Sequence, residues 1–176
     1  MRVLVTGGAR SGKSAHAESL LRDEPAVVYV APGPVPDESA DPEWAARVAA
    51  HRERRPDTWR THETGDIATA VREAEGAVIV DCLGTWVTRL LDEELAWDAD
   101  ADAVRVLFDE RLEALGRALR ECTATVVVVT NEVGLGIVPE RRSGRLFRDL
   151  LGTANQRVAQ DCVEVHLVVA GRVLRL

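Results

Sequence analysis

The chain has 176 residues, 46% of them hydrophobic, and sets 29 acidic against 22 basic residues for a net charge of −7. That length suits one α/β domain with a sizeable core and is short for two. The acidic balance argues against a general nucleic-acid or anionic-membrane surface, because those partners call for basic faces.

In chain order, Arg2–Thr6 is a short β-branched strand, and Ser14–Leu21 is helical, with Ala17, Leu20 and Leu21 at helical spacing. A strand follows at Ala26–Val30. Ala31–Asp41, rich in proline, glycine and acid, reads as a loop at a strand end, and Pro42–Arg52 as a helix. Ile67–Ala74 is helical, Ala77–Val80 a strand, and Thr85–Glu94 and Ala103–Arg120 helical; the acidic stretch Asp92–Asp102 reads as a solvated helix connection. Thr125–Thr130 is a strand, Arg145–Gln160 a helix and Glu164–Ala170 a strand. Val173–Leu176 follows so closely across Gly171-Arg172 that it must pair antiparallel at an edge. Strands alternating with helices specify a parallel sheet covered on both faces. No apolar run approaches the roughly 20 residues of a membrane span. Cys82, Cys122 and Cys162 are odd in number, with no C-x-x-C pair, so neither a disulfide framework nor a zinc site is indicated. They read as buried thiols of a reducing cytoplasm.

Lys13 is the only lysine; every other cationic side chain is an arginine. It stands in Gly7-Gly8-Ala9-Arg10-Ser11-Gly12-Lys13-Ser14, which fits G-x-x-x-x-G-K-[ST] and has the required context, a strand before and a helix after. A compact, flexible ammonium fits between phosphates where a planar guanidinium does not. In such a loop the glycines let backbone N–H groups turn inward onto a polyphosphate, and the helix N-terminus adds partial positive charge. Lys13 would reach the β/γ-phosphates and Ser14 would hold magnesium through its hydroxyl. The fold class expected is therefore α/β, a P-loop NTPase-like (RecA-like), mostly parallel sheet with helices on both faces and an antiparallel edge strand, in one nucleotide-binding catalytic domain over residues 1–176.

Ligands of an open parallel sheet sit beyond the carboxyl ends of the strands. The strand at Ala77–Val80 closes on Asp81-Cys82, the usual arrangement for a carboxylate that orients magnesium or its water, and Asp81 is a second catalytic candidate. The strand at Thr125–Thr130 ends Asn131-Glu132-Val133-Gly134, where Glu132 could bind substrate hydroxyls or metal, or simply pair with an arginine. The basic cluster is His51-Arg52-Glu53-Arg54-Arg55-Pro56, followed by Trp59-Arg60-Thr61-His62-Glu63. Trp44, Val48 and His51 fall at i, i+4 and i+7, so the histidine lies on the apolar face of its helix, beside arginines that can fork onto phosphate oxygens.

Val5 to Ser14, Tyr29-Val30-Ala31, His51 with Arg55-Pro56, Trp59-Arg60-Thr61-His62-Glu63, and Val129-Thr130-Asn131-Glu132-Val133-Gly134-Leu135-Gly136-Ile137-Val138-Pro139 closely resemble the bifunctional adenosylcobinamide kinase / adenosylcobinamide-phosphate guanylyltransferase family of cobalamin biosynthesis. The resemblance runs nearly the whole chain, and the last two blocks, in this order, are specific. It implies phosphorylation of adenosylcobinamide with ATP or GTP, then transfer of GMP from GTP onto that phosphate to give adenosyl-GDP-cobinamide. It implies a guanylylated histidine at the position of His51, catalytic roles for Lys13 and Asp81, and magnesium on Ser14 and Asp81. The family's nucleotide contacts fall on Gly7, Gly8, Ala9, Arg10, Ser11, Gly12, Lys13 and Ser14, on Ala31, Pro32 and Gly33, on Arg52, Glu53, Arg54 and Arg55, and on Glu63 and Asp81. A homo-oligomer is implied, expected to be a trimer, in the cytoplasm. The chain departs from the pattern at Pro32, where a small hydroxyl residue is frequent, and at Asp81, where glutamate also occurs. It departs again at Trp44, often methionine, and in the longer, proline-rich Gly33–Asp41 segment.

Other classes compete with this reading. A regulatory GTPase needs a second lysine for N-K-x-D, which the chain lacks. A P-loop small-molecule kinase without nucleotidyl transfer would leave His51 merely structural and use Asp81 or Glu132 as proton acceptor. A non-catalytic nucleotide-binding protein would not need Lys13, Ser14, Asp81 and His51 together at strand and helix ends.

Overall fold

The computed structural model of the protein describes residues 1–37, 39–94 and 96–176; position 38 of the acidic loop and position 95 of the acidic helix connection lie outside the described residues. The elements are β1 (Arg2–Gly7), α1 (Lys13–Ser19), β2 (Val27–Ala31), α2 (Pro42–Glu53), β3 (Arg60–Glu63), α3 (Ile67–Glu73), β4 (Ala77–Asp81), α4 (Leu83–Glu93), α5 (Ala101–Glu121), β5 (Val126–Asn131), α6 (Arg142–Asp161), β6 (Glu164–Val169) and β7 (Arg172–Arg175). The strands form one sheet in the order β3-β2-β4-β5-β1-β6-β7, parallel throughout except for β7, which pairs antiparallel with β6 as expected. β3 has no counterpart among the expected strands. All four of its residues are exposed and polar, so no burial pattern marks it, and its backbone pairing with β2 alone makes it a strand.

Strict alternation within the strands builds two cores. Val3, Val5, Val27, Tyr29, Ile79, Val127 and Val129 turn to one face and pack against Ala17 and Leu21. Leu4, Val30, Val78, Val80, Val126 and Val128 turn to the other, where α3 to α6 close over them. Both faces of the central strands are dry, which is why they read as continuous valine runs rather than as an alternation. Helix α5 begins where the Asp100 carboxylate accepts from the N–H groups of Asp102 and Ala103, a cap that satisfies two otherwise orphaned donors. Its residues Val104, Phe108, Leu112, Leu115 and Leu119 then recur at helical spacing and are buried. No described helix is long and apolar enough to cross a membrane. The three cysteines are free thiols, each partly rather than fully buried.

Strand order decides where a ligand can lie. β1 sits between β5 and β6, so the chain leaves β1, crosses β5 and β4 to reach β2, and later returns to β1's other flank, which opens a crevice at the carboxyl ends. Register carries Gly7 opposite Asn131 and Asp81 opposite Val129, so the two strand ends straddle that of β5. Across the sheet, Ala170 and Gly171 make the β6–β7 turn with φ of 49° and 75°, the left-handed pair that a two-residue hairpin needs. The turn then gives its Gly171 N–H to the Ser11 carbonyl at 2.8 Å, buttressing the glycine-rich loop from the side.

Leu119 is fully buried where α5 meets the sheet. Leu119→Ala is expected to lower unfolding stability by about 2–5 kcal/mol, read from the urea midpoint, because the cavity sits among packed strands and helices that cannot collapse into it.

Candidate active site

The loop between β1 and α1 forms the expected strand–loop–helix. Arg10 and Gly12 adopt left-handed φ of 56° and 94°, the kind of backbone turn from which anion-binding concavities are built. Gly7 has no room for a side chain, since a Cβ would collide with the Val168 carbonyl oxygen and come within 2.7 Å of Ser11 Oγ. Helix α1 starts without a side-chain cap. Lys13 is only 7% exposed, and its Nζ reaches the Gly8 carbonyl at 3.3 Å, with no carboxylate paired to it among the described residues. A buried ammonium supported by one long carbonyl contact is an unfinished arrangement that a polyphosphate completes. The buried Ser11 hydroxyl has no partner either.

Asp81, at the end of β4, points to the same face. Its Oδ2 accepts a 2.8 Å hydrogen bond from the Tyr29 hydroxyl and lies 3.6 Å from His51 Nδ1. Burial pushes this carboxyl up, but His51, Tyr29 and Ser14 facing it outweigh that and hold it below its ordinary value. Tyr29 is pushed well up, by its own burial first and by the Asp81 charge second, so it stays a hydrogen-bond donor. Burial and the same charge also push up the Cys82 thiol, which keeps it from nucleophilic work.

Helix α2 brings the histidine in. Asp41 caps its N-terminus through the Trp44 N–H at 2.9 Å, and Trp44, Ala45, Val48 and His51 turn their sides inward as the spacing predicts. Two arginines then dock its C-terminal end. Arg54 reaches Glu18 of α1 at 3.2 Å, and the Arg55 guanidinium lies 3.4 Å over the Tyr29 ring while bonding Thr61 at 3.0 Å. Arg54 also approaches His51 Nδ1 at 3.4 Å. Both contacts to the imidazole converge on Nδ1, so Nε2 is the ring nitrogen left without a protein partner among the described residues.

Contacts thus link Asp81 to Ser14, His51 and Tyr29, Arg54 to His51 and Arg55 to Tyr29, with Lys13 next to Ser14 in the chain, at the carboxyl end of the sheet. Arg52 and Glu63 pair with each other at its outer edge, and Glu53 is exposed on the far side of the helix, away from the cluster. Pro32 is buried, and Gly33 packs so closely that a Cβ would stand 3.0 Å from Trp44 and 3.2 Å from Thr85. Among the described residues no arginine pairs with Glu132, and its carboxylate turns back to accept from the Gly134 N–H. Two residues of the cluster were not singled out for a role from sequence. Tyr29 carried a signal, being the only tyrosine in the chain and a phenol within an aliphatic strand that must find a partner when buried. Glu18 carried none, because acids on helix surfaces are ordinary.

A sheet of this order with a glycine-rich loop and a buried lysine after β1 defines a P-loop nucleotide-binding protein. The chain aligns over 94% of its length, at 12% identity and a TM-score of 0.57, with a prototypical ATPase from the type III secretion system of pathogenic bacteria, and over 98%, at 20% and 0.53, with the P4 protein of bacteriophage phi6 in complex with ADP. It spans about half of each of those chains, 50% and 53%, and the likeness concerns the fold. Residues 3–176 match the family described as cobinamide kinase / cobinamide phosphate guanyltransferase, and the chain belongs to it. The bifunctional adenosylcobalamin biosynthesis protein CobU of Salmonella typhimurium is 44% identical over 97% of both chains. The CobP protein of Pseudomonas aeruginosa is 39% identical over 97% of this chain and 94% of its own.

Because Asp81 is held below the ordinary carboxyl value of 3.8, its contribution to stability is present in full above about that pH and is lost as the pH falls through its lower folded-state value. Asp81→Asn should therefore flatten the acid limb of a plot of urea midpoint against pH. Tyr29→Phe, which removes a hydrogen bond to a charged group, should cost about 1.5–3 kcal/mol near neutral pH in the same assay.

Proposed function

We propose that the protein phosphorylates a cobinamide hydroxyl with ATP or GTP and then transfers GMP from GTP onto the new phosphate, by way of His51. In the first reaction the substrate oxygen attacks the γ-phosphorus, the bond to the β-phosphate oxygen breaks, and the hydroxyl proton departs to Asp81 or to water. The loop N–H groups and Lys13 hold the leaving polyphosphate and stabilise its charge. In the second, His51 Nε2 attacks the α-phosphorus of GTP and pyrophosphate leaves. The phosphate oxygen of cobinamide phosphate then displaces the imidazole, giving the GDP-linked product and restoring His51.

The observation that supports two reactions rather than one is the imidazole beside Asp81. The Asp81 carboxylate facing Nδ1 favours the tautomer with its proton there over the one that would accept from Arg54, and so leaves the Nε2 lone pair free to attack. Arg54 lies beside the ring and Arg55 over the neighbouring Tyr29, and both would neutralise charge building on the transferring phosphorus. A kinase alone has no need of a histidine at that place.

The residues present fit magnesium. Sites for Mg²⁺ beside nucleotides use few protein ligands and borrow phosphate oxygens. Ser14 and Asp81 supply a hydroxyl and a carboxylate on one side of the crevice, and no cluster of three or more acidic, histidine or cysteine ligands occurs among the described residues. When bound there, the ion would offset the negative charge of the β- and γ-phosphates. The family resemblance supports one catalytic domain over residues 1–176, acting in the cytoplasm as a homo-oligomer, a trimer, with a corrinoid as substrate.

With GTP labelled at the α-phosphate, the wild-type protein should acquire an acid-labile adduct. His51→Ala should abolish the adduct and the GDP-linked product while sparing phosphorylation of cobinamide. Lys13→Ala should lower both reactions on the order of 10²-fold, the usual cost of removing one donor to a developing anion. An unlabelled wild-type protein that still phosphorylates cobinamide would leave only the kinase.

A further inference from the structure

We infer that the loop running from Glu132 to Pro139 seats the corrin ring of the acceptor. This deepens the reading above and rests on it. The root of the loop is fixed against the phosphate cradle: the Glu132 N–H donates to the Gly7 carbonyl at 3.1 Å, and Asn155 of α6 donates to the Asn131 carbonyl at 3.0 Å. From there the chain carries three aliphatic side chains into water, Leu135 at 89% exposure, Ile137 at 94% and Val138 at 68%.

These side chains do not collapse onto the protein because the backbone beneath them is pinned. Arg148 forks onto the carbonyls of Ile137 at 2.7 Å and Gly134 at 2.5 Å, and Arg145 reaches those of Glu140 at 2.6 Å and Pro139 at 3.0 Å. Ordering a loop costs about 1–2 kcal/mol per residue in backbone entropy, and of its apolar groups only Val133, at the root, packs on the core, so burial of Leu135, Ile137 and Val138 does not repay it. An ordered frame that holds three neighbouring aliphatic side chains outward has the character of a binding surface.

Area and position select the occupant. Three aliphatic side chains expose on the order of 300–400 Å² together, the size of a functional patch on a monomer. A stable subunit contact takes roughly 800 Å² from each partner, so this loop alone is too small for one. It does match one apolar face of a single planar macrocycle. The acceptor hydroxyl must come to the terminal phosphate held by Lys13, and the arm that carries it sets the ring back from that point. The ring must therefore rest outside, at the end of the arm that carries the hydroxyl. Six residues from Asn131 to Ile137 reach at most ~20 Å, which puts the patch on the rim that such an arm would span.

The test is the double variant Leu135→Ser with Ile137→Ser, which alters exposed side chains and leaves every pinning bond to the backbone intact. Steady-state phosphorylation of cobinamide should show KM for cobinamide raised about tenfold or more, with KM for the nucleotide and the yield of the His51 adduct within twofold of wild type. Arg148→Met, which loosens the frame without touching an apolar atom, should raise the same KM by a smaller factor. An unchanged KM for cobinamide in the double variant overturns the inference. So does a fall in its assembly mass by sedimentation equilibrium, which would make the loop a contact between copies of the chain. A wild-type protein with no cobinamide-dependent turnover at all would sink the proposed reaction, and the inference with it, a result separable from the first two.

Discussion

Everything at the site depends on a buried ammonium to which no carboxylate is paired among the described residues. Lys13 is held at the turn between β1 and α1 with only the Gly8 carbonyl for support. A charge in that state is costly unless an anion completes it. The surroundings suit one: a helix start without a side-chain cap and, among the described residues, a buried serine hydroxyl without a partner meet there. A carboxylate placed opposite Lys13 would relieve the cost in the free protein and remove the reason to bind phosphate. The free site is left poised by what it lacks.

The second constraint is the division of labour at Asp81. One oxygen of this carboxylate accepts from Tyr29 and faces His51, which ties an element of the sheet, the phosphate loop's neighbourhood and helix α2 to a single charged group. Helix α2 buries little of its own surface, Ala45 alone being fully buried. Its place over the crevice is set by polar anchors instead: Arg54 on Glu18, Arg55 on the Tyr29 ring and His51 on Asp81. An element held this way keeps its register through directional contacts, whereas α5 and α6 keep theirs through packed aliphatic faces. Exposed ion pairs are individually weak, so the stack of Arg55 on a buried ring and the contact with a buried carboxylate matter most for holding His51.

The limits of reading from sequence follow the same division. Strands that are dry on both faces announce themselves as valine runs, and β1, β2, β4, β5 and β6 could be placed within a residue or so. β3 could not, because Arg60–Glu63 is wet on both faces and owes its form to hydrogen bonds with β2. The phosphate loop was legible because its glycines and its lysine serve backbone geometry and a local charge, both functions of adjacent residues. Glu132 was ambiguous for the opposite reason: a carboxylate after a strand has many possible partners, and the nearest N–H, that of Gly134, is the one it takes.

By itself, then, the chain settled everything governed by neighbours in sequence: which stretches bury themselves, where the phosphate cradle lies, and that the last strand must fold back on its predecessor. The physical reason is that periodicity, glycine freedom and turn closure act over a few residues. Only the tertiary structure decided which distant groups meet. Strand order brought residue 81 beside residue 14, and the docking of α2 brought residue 51 beside residue 81. It also decided that Tyr29 belongs to the site and that Leu135 and Ile137 face water. Those facts are set by strand order and by arginine forks closing over long loops, and no local pattern encodes them.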